Sequence, residues 1–357
     1  MSKIARHWQM AEDGRITCTL CPRLCSLREG QRGMCFVRRR EGEALVLDTY
    51  GRSSGFCIDP IEKKPLNHFY PGTPVLSFGT AGCNLACKFC QNHDISKARD
   101  TDRLAQEASP ALIASCARNA GCVSVAYTYN DPVIFLEYAV DIAAECRARG
   151  VRNVAVTAGY LSKAARPEFF GAMEAANIDL KGFTDRFYRK LTGAEIRPVL
   201  DSIVYAVHES PCWVELTTLL IPGENDSAAE IRALAHWVMT ECGPDVPVHF
   251  TAFTPHFRMM DKPKTSIDSV LRAREIAKEV GLHHVYVGNV NHEAAQSSYC
   301  SGCGTRVIGR NWHELSHWGL DGQGHCLGCG TRMPGRFDGP RGTWGRQRRP
   351  VRLVERA

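Results

Sequence analysis

Seven short runs of apolar, mostly β-branched residues recur along the chain, at intervals typical of strands that alternate with helices. The runs are Val75–Thr80, Val123–Tyr129, Val151–Thr157, Ala176–Lys181, Trp213–Ile221, Val248–Phe253 and His284–Val290. Helical periodicity lies between several of them, at Pro132–Arg149, Ser227–Glu241 and Ser266–Val280. This alternation predicts an α/β fold with a parallel sheet buried on both faces. Six or seven such units favour a TIM-like (β/α) barrel, full or partial, over a flat sheet.

Polar residues follow the predicted strands at their carboxyl ends, which is where a barrel places its chemistry. Each of them alone is also typical of a loop cap or turn, but all the strand ends together favour a shared site. They are Asn130, Asp131, Thr157, Gly159, Asp179, Lys181, Glu215, Thr217, Thr218, His249, Thr251, His256 and Asn289. No G-x-G-x-x-G follows the first strand, which argues against dinucleotide binding.

The formal net charge of +6 comes almost wholly from the end of the chain. From Arg336 onward, seven arginines face two acids, Asp338 and Glu355, a balance of +5. We expect residues 336–357 to form a solvated, disordered tail, with contact to nucleic acid or acidic partners as the alternative. No apolar run of about 18 residues predicts a membrane span, and residues 1–15 lack a secretory signal. These features predict a cytoplasmic protein.

Three of the seventeen cysteines form a C-x3-C-x2-C triplet, Cys83, Cys87 and Cys90, directly after the first predicted strand. Three thiolates at this spacing can hold three irons of a [4Fe-4S] cluster and leave the fourth iron open. An open coordination position is typical of a catalytic metal site. The alternative is structural zinc with a distant fourth ligand, although zinc sites usually come as paired C-x2-C knuckles.

The triplet and its flanks resemble the radical S-adenosylmethionine (SAM) superfamily, and Cys90-Gln91-Asn92 is similar to the glycyl-radical-enzyme activases, such as the pyruvate formate-lyase activating enzymes. In that superfamily SAM chelates the open iron, and one electron cleaves it to a 5′-deoxyadenosyl radical that abstracts hydrogen from a substrate. The resemblance implies a partial radical SAM barrel and an electron donor of the flavodoxin or ferredoxin type.

Five further segments resemble the radical SAM protein of the AmmeMemoRadiSam system, which implies partner proteins of that system or a protein substrate; a small-molecule substrate is equally open. The segments are Asp59–Leu66, His68–Gly72, Tyr127–Asn130, Ile178–Phe183 and Val285–Val290. Two positions depart from the family pattern. Asp131 stands where the family usually has glutamate, and Ala158 stands where it usually has asparagine. Both changes fall in the shell that the resemblance assigns to SAM.

The resemblance also implies roles for single residues. Asp131 is expected to hold the SAM amino group, with Asn130, Thr157 and Gly159 in the same cofactor shell. The strand period places Asp179 and Lys181 on one face, so we expect Lys181 to neutralise a carboxylate of SAM or substrate while Asp179 orients it. An ion pair in the barrel interior is the alternative reading of these two. His256 is a further candidate near the substrate.

Two more cysteine groups predict metal sites at the ends of the chain. The N-terminal quartet is Cys18, Cys21, Cys25 and Cys35, which fits either tetrahedral zinc or a second [4Fe-4S] cluster. The C-terminal quartet is Cys300, Cys303, Cys326 and Cys329, in two near-identical C-x2-C knuckles typical of a zinc ribbon. A closed ribbon is structural, and we expect it to hold a partner or cap the barrel.

These features divide the chain into four predicted parts. Residues 1–58 form a Cys-rich metal-binding segment, 59–298 the barrel, 299–335 the zinc-ribbon-like module and 336–357 the basic tail. The predicted function is that of a radical SAM enzyme, an activase-like oxidoreductase. The alternative is a metal-stabilised scaffold or nucleic-acid-binding protein, but nucleic acid is disfavoured because the basic residues are confined to the tail and no aromatic-basic stripe appears.

Overall fold

The computed structural model describes residues 2–98 and 106–354. Its centre is a sheet of seven parallel strands that neighbour one another in chain order. The strands are Pro74–Gly79, Ser124–Tyr127, Arg152–Thr157, Ala175–Asp179, Trp213–Leu220, Val248–Ala252 and Val285–Gly288. All seven predicted strands are confirmed. Within the described ranges no ladder joins the last parallel strand to the first, so the sheet remains open.

Helices connect the strands, and together the two kinds of element form one large apolar core. The α-helices are His93–Ser96, Pro110–Asn119, Leu136–Ala148, Arg166–Gly171, Asp185–Phe187, Arg197–His208, Ala228–Glu241, Ile267–Glu279 and Glu293–Gln296. Short 3₁₀ turns lie at Ile61–Lys63, Pro132–Phe135 and Lys163–Ala165, and a π turn at Tyr188–Thr192. Ser227 and Ser266 cap the two helices that follow them by accepting a backbone hydrogen bond, which explains why the sequence pattern begins at these serines.

Small antiparallel sheets flank the centre. The N-terminal segment contributes two three-stranded sheets, made of Lys3–Ile4, Arg38–Glu41 and Ala44–Leu47, and of Trp8–Met10, Ile16–Cys18 and Ser26–Leu27. The C-terminal module contributes Ser298–Tyr299, Arg306–Asn311 and Glu314–Trp318. The predicted boundaries at 58/59 and 298/299 therefore fall inside strands, because Arg52–Pro60 and Ser298–Tyr299 each extend across one.

The edge of the central sheet differs from the sequence prediction. Arg52–Pro60 pairs antiparallel with the first parallel strand, and it also pairs with Gln106–Glu107. Its free side is covered by Arg349–Pro350, which belongs to the segment predicted as a disordered tail. Arg349–Pro350 forms a strand here because the exposed edge of Arg52–Pro60 offers unpaired backbone groups, which residues 349–351 satisfy, for instance through the Val351 N–H on the Phe56 carbonyl at 3.0 Å.

One loop fills the amino-terminal end of the central sheet, and we call residues 61–73 the plug. Its backbone N–H groups at Asn67 and His68 donate to the fully buried carboxylate of Glu215, at 2.9 and 2.7 Å. Asn177 donates to the plug's Pro65 carbonyl at 2.8 Å. These bonds join the plug to two neighbouring parallel strands, so it lies against the face of the sheet.

The C-terminal module lies under the plug, on the side away from the carboxyl ends of the strands. The buried guanidinium of Arg310 donates to the Asn67 carbonyl at 2.6 Å and to Ser298 Oγ at 2.8 Å. His68 Nδ1 lies 2.6 Å from the Pro334 carbonyl oxygen. The module has its own small apolar core. The module therefore closes the amino-terminal end of the sheet.

No helix in the described ranges has the length and apolarity to cross a membrane.

Candidate active site and metal-binding cysteines

The cysteine triplet lies on the loop that follows the first parallel strand, at the carboxyl edge of the sheet. Asn130 holds this loop from the next strand. Its Oδ1 accepts from the Thr80 N–H at 3.0 Å, and its Nδ2 donates to the carbonyls of Ala81 and Gly82. The side chain predicted in the cofactor shell is thus fully engaged in positioning the loop. A Cβ at Gly79 would stand 2.8 Å from its Oδ1, so the close approach needs glycine.

The three thiols line one cavity. The Leu85 N–H donates to Cys83 Sγ at 3.4 Å, and Cys90 Sγ lies 3.1 Å from Ser96 Oγ. Burial raises the pKa of the Cys87 thiol to about 12, although the ammonium of Lys181 works against this. A free Cys87 thiol is therefore neutral near pH 7, and its thiolate needs a bound cation to form.

The cavity measures about 390 Å³, which lies within the range of small-molecule sites. All three cysteines of the triplet line it, and its opposite wall belongs to the parallel strand ends and the plug. Its polar lining residues are Lys63, Lys64, Gln91, Asn92, Ser96, Thr128, Tyr129, Asn130, Asp131, Asp179, Lys181, Thr217, Thr251 and Asn289. Residues from distant parts of the chain thus meet the triplet in one space.

Asp131 is a buried carboxyl group on the cavity wall. Its Oδ1 accepts from Thr157 Oγ1 at 2.8 Å and from the Val133 N–H at 3.2 Å, where it caps a 3₁₀ turn. Its Oδ2 accepts from the Ala158 N–H at 3.3 Å. Burial raises the pKa of Asp131 to about 6, while these hydrogen bonds hold it lower than burial alone would. The oxygen with one long bond is free to accept a further donor from the cavity.

Asp179 and Lys181 form an ion pair on the cavity wall, with Nζ 2.8 Å from Oδ2. Burial lowers the pKa of Lys181, but Asp179 and Cys87 outweigh burial, so the pKa is raised and the ammonium stays charged. Tyr188 accepts from the Lys181 backbone N–H at 3.1 Å and fixes the strand end. The two residues form an ion pair, as one interpretation of the sequence expected, and they also line the cavity, as a role in ligand binding requires.

Three predicted site residues stand elsewhere. His256 follows its strand but does not line the cavity; its ring packs against His93 at 5.1 Å between centroids. Thr157 and Gly159 lie behind Asp131, where the Gly159 N–H donates to Thr157 Oγ1, and Val156 and Ala158 form the wall instead. The strand period explains the exchange, because neighbouring residues point to opposite sides. Thr157 thus contacts Asp131 and not the cavity.

Lys63 and Lys64 line the cavity but were not predicted as site residues from the sequence. Lys64 is 3% exposed, and its Nζ lies 2.8 Å from Asp59 Oδ2, while Lys63 reaches the other oxygen at 3.0 Å. The two lysines lower the pKa of Asp59 against the effect of burial, which raises it. Tyr129, in a left-handed conformation, stands 5.4 Å from the Lys64 ammonium. The motif Asp59–Leu66 was the available signal, but nothing local in it places Lys64 opposite the cysteines.

The C-terminal quartet comes together as one group. The Sγ atoms of Cys300 and Cys329 are 3.5 Å apart, those of Cys303 and Cys326 are 3.8 Å apart, and all four lie within 4.8 Å of one another. Hydrogen bonds from Thr305 lower the pKa of Cys303 to about 6. The Cys303 thiolate therefore forms near neutral pH, whereas burial raises the pKa of Cys300 to about 11.

The N-terminal quartet lies beside the triplet loop. Cys18, Cys21 and Cys35 are buried, and Cys25 is partly exposed. No three of the four Sγ atoms all lie within 4.8 Å of one another, in contrast to those of the C-terminal quartet. The Cys35 carbonyl would be 2.1 Å from a Cβ on Gly82, which adopts a left-handed φ of 82°. Only glycine allows this contact between the two cysteine segments.

The triplet fits an iron–sulfur cluster on chemical grounds. It supplies three thiol donors, and burial alone keeps at least Cys87 protonated unless iron draws the thiolates out. The Sγ atoms of Cys83, Cys87 and Cys90 do not all lie within 4.8 Å of one another, although all three residues line the same cavity. Separate irons of a cluster need such spacing, whereas a single ion needs the closer spacing of the C-terminal quartet.

The chain is similar to known proteins over most of its length. Residues 78–237 match the family described as the Radical SAM superfamily. The uncharacterized protein MJ0808 of Methanocaldococcus jannaschii is 37% identical over 306 residues, which cover 86% of this chain and 91% of that protein. A pyruvate formate-lyase-activating enzyme of Listeria monocytogenes is 26% identical over 180 residues, or 48% of this chain and 71% of that enzyme. Among solved structures, a radical SAM methyltransferase from Sphaerobacter thermophilus superposes with a TM-score of 0.47 and 16% identity, covering 80% of this chain and 76% of that one.

Proposed function

This chain belongs to the radical SAM superfamily of enzymes, and from that premise we propose that it cleaves SAM reductively and abstracts hydrogen from a substrate bound in the same cavity. The observation that carries the proposal is the shared cavity, which Cys83, Cys87 and Cys90 line together with Asp131 and Lys181. When bound, a [4Fe-4S] cluster supplies one electron to SAM and so produces methionine and the 5′-deoxyadenosyl radical.

The residues of the chain bind and orient the cofactor in this proposal. Cys83, Cys87 and Cys90 are the iron ligands. Asp131 is the acceptor for the SAM amino group, because its Oδ2 faces the cavity with only one long hydrogen bond from the Ala158 N–H. Asn130 acts indirectly, by holding the cysteine loop, and Thr157 acts through its 2.8 Å bond to Asp131.

Lys181 is proposed to receive a carboxylate of SAM or of the substrate. Its ammonium is charged, it faces the cavity, and Asp179 directs it from 2.8 Å. On the plug side of the cavity, Lys63 and Lys64 place two amino groups beside the single carboxylate of Asp59, and burial lowers the pKa of Lys64 while Asp59 opposes this effect. An anionic substrate group therefore finds cations on two sides of the cavity.

The C-terminal quartet is proposed to bind zinc. Tetrahedral zinc with Zn–S bonds of about 2.3 Å places its sulfurs about 3.8 Å apart, and the Cys300–Cys329 and Cys303–Cys326 pairs stand at 3.5 and 3.8 Å. Four protein ligands leave no open position, so this zinc is structural. Because the module lies under the plug, the ion stabilises the end of the sheet that is opposite the triplet.

A protein substrate and an electron donor of the flavodoxin or ferredoxin type complete the proposal. Similarity to the pyruvate formate-lyase-activating enzyme supports a protein substrate, and the partner proteins of the AmmeMemoRadiSam system are the candidates that the sequence resemblance offers. A small molecule is the other substrate class that a cavity of about 390 Å³ accommodates.

Formation of 5′-deoxyadenosine from SAM tests the proposed function. The protein is purified and its iron–sulfur content reconstituted without oxygen, then reduced with dithionite in the presence of SAM. We expect release of 5′-deoxyadenosine by the wild-type chain and none by Cys87→Ala. Equal release by both proteins, or no release by a wild-type chain that holds its cluster and SAM, contradicts the proposal.

A further inference from the structure

The N-terminal quartet has a compact scaffold that brings four thiols around one point. Cys18 ends the strand Ile16–Cys18, and its N–H donates to the Cys25 carbonyl at 2.9 Å across the hairpin. Cys21 lies in the turn between them. Cys35 arrives from the following loop, and its Sγ and that of Cys25 stand 3.7 and 3.6 Å from the position of a Cβ on Gly33. The Cys25 and Cys35 sulfurs thus approach one backbone position, and the thiol of Cys21 has those of Cys18, Cys25 and Cys35 as electrostatic neighbours.

The spacing of these sulfurs differs from that of the zinc-like C-terminal quartet in the same molecule. The four C-terminal Sγ atoms all lie within 4.8 Å of one another, whereas no three of the N-terminal ones do. The sulfurs of the triplet Cys83, Cys87 and Cys90 also do not all lie within 4.8 Å of one another. A single zinc ion needs its sulfurs about 3.8 Å apart, while a cluster that binds each cysteine to a different iron needs them farther apart.

Burial and hydrogen bonding of the quartet also suit a cluster. The buried guanidinium of Arg38, which is paired with Glu137, lies near the thiols of Cys18 and Cys35. The Met34 N–H donates to Cys25 Sγ at 3.4 Å, a contact of the kind that tunes the potential of iron–sulfur centres.

The quartet is in direct contact with the triplet loop. The Cys35 carbonyl approaches Gly82, the residue before Cys83, so closely that a Cβ there would be 2.1 Å away. Arg23 Nε donates to the Asn84 carbonyl at 3.0 Å on the same loop. A second cavity, of about 380 Å³, is lined by both Cys35 and Cys83. The backbone of the N-terminal quartet and the backbone of the triplet loop are therefore in van der Waals contact.

We propose that Cys18, Cys21, Cys25 and Cys35 hold a second [4Fe-4S] cluster that relays electrons to the cluster of the triplet. This inference rests on the proposed function. A reduced flavin or iron–sulfur protein gives up one electron and is oxidised; the N-terminal cluster takes that electron and returns to its oxidised state when the triplet cluster is reduced. No bond is made or broken in this step. Since all four cysteines are ligands, this cluster has no open iron and does not bind SAM.

The metal content of a variant without the triplet tests the site itself. The full chain carrying Cys83→Ala, Cys87→Ala and Cys90→Ala is reconstituted without oxygen and analysed for iron, sulfide and zinc. We expect about four iron and four sulfide ions to remain per chain, with about one zinc. The reduced cluster should give an electron paramagnetic resonance signal that SAM leaves unchanged. Absence of iron together with two zinc ions per chain overturns the proposal.

The relay is tested with the triplet intact. Cys25→Ser is the suitable variant because Cys25 is the most exposed of the four ligands and its loss perturbs the fold least. The measured quantity is the ratio of the rate of 5′-deoxyadenosine formation with reduced flavodoxin to the rate with dithionite, a small reductant that reaches the triplet cluster directly. We expect this ratio to fall close to zero in Cys25→Ser. A ratio equal to that of the wild type overturns the relay.

The two experiments separate this inference from the proposed function. Iron in the triplet variant is measured without any turnover, so the second cluster stands or falls independently of SAM cleavage. Conversely, a wild-type chain that holds both clusters and does not cleave SAM with dithionite contradicts the proposed function and leaves the metal assignment supported. Circular dichroism shows whether the Cys25→Ser variant is folded. The metal analysis of the triplet variant tests the second cluster even if Cys25→Ser does not fold.

Discussion

Two charged residues on the cavity wall have surroundings that set which ligand group each can accept. Asp131 is buried and has its pKa raised to about 6 by that burial, so it changes charge close to physiological pH. Lys181 has its pKa raised by Asp179 and Cys87 despite burial, and it stays charged. In the proposed site, Asp131 therefore makes cofactor binding depend on pH, whereas Lys181 provides a constant positive charge.

We expect the affinity for SAM to fall as the pH drops below about 6, by up to about tenfold per pH unit, because a protonated Asp131 no longer attracts an ammonium group. Equilibrium dialysis with reconstituted protein between pH 5 and pH 8 measures this. Asp131→Asn should bind weakly at every pH and give a flat profile. Equal pH profiles for the two proteins would show that another group is responsible.

The same shift has the opposite sign for folding. The folded chain holds the Asp131 proton up to about pH 6, whereas an ordinary aspartate loses it near 3.8. Between these values the folded state binds more protons than the unfolded state, so the contribution of Asp131 to stability is present at low pH and is lost as the pH rises through about 6. Site and fold thus favour different charge states of one carboxyl group.

Lys181→Met should raise the dissociation constant of SAM by about tenfold, or about 1.4 kcal/mol, since the ammonium is removed while most of the side-chain volume is kept. Isothermal titration without oxygen measures the effect. Lys190→Met is a matched control, because Lys190 pairs with Glu224 at 3.6 Å and its side chain is 49% exposed. Unchanged affinity and turnover in Lys181→Met would leave the Asp179–Lys181 pair a purely structural contact.

Single residues were predictable from the sequence where a motif carried them, and less so where only their place on a strand did. The triplet, Asp131 and Lys181 line one cavity at the carboxyl ends of the strands, where they were expected from the sequence, and their roles stay predictions. His256 does not, because its loop turns the ring toward His93. Lys64 was missed because its approach to the cysteines depends on how the plug enters the sheet, which no local pattern encodes.

Among the larger elements, the strands and their order were predictable, while the plug and the tail were not. Periodicity shows a buried strand wherever apolar residues recur, and all seven parallel strands were found in this way. The plug has no such period; it is fixed by polar contacts such as those of Asn67 and His68 with Glu215. Arg349–Pro350 is too short and too polar to predict a strand, and it becomes one only because Arg52–Pro60 offers a free edge.

Glu215→Ala should unfold the protein more easily, because it leaves the buried N–H groups of Asn67 and His68 and the ring of His249 without their acceptor. Unpaired buried donors cost about 1–3 kcal/mol each. A total loss of about 3 kcal/mol lowers the Tm by roughly 4 °C in a chain of this size, since the unfolding entropy is about 2.1 cal/mol/K per residue. Differential scanning calorimetry measures this shift.

The control for this prediction is Glu279→Ala, since the side chain of Glu279 is 70% exposed and its nearest cation, Arg232, lies 3.9 Å away. We expect its Tm to stay close to that of the wild type, as is usual for exposed ion pairs. If Glu215→Ala melts at the same temperature as this control, the plug is held by its apolar contacts and not by the carboxylate.

At the scale of the whole molecule, the parts are stacked in layers along the strand direction. The cysteine loop lies at the carboxyl edge, the cavity below it, then the plug, and finally the C-terminal module held by Arg310 and His68. The N-terminal segment lies at the side of the loop through Cys35 and Gly82. The module was predicted to hold a partner or cap the barrel, and its position under the plug favours the cap.

Cys303→Ser should remove about one zinc ion per chain while leaving the iron content intact, because only the C-terminal quartet loses a ligand. The small core of the module depends on that ion, so we expect residues 299–335 to become sensitive to limited proteolysis. Metal analysis and mass spectrometry of the fragments measure both effects. Ser301→Ala, in the same exposed knuckle, is the control, and equal zinc in the two variants would contradict the assignment.

The plug also connects the two ends of the molecule. Its residues 63–65 line the same cavity as the cysteine triplet, while the Asn67 carbonyl accepts a hydrogen bond from Arg310 of the C-terminal module. A disturbance of the module therefore reaches the cavity wall through a single continuous loop.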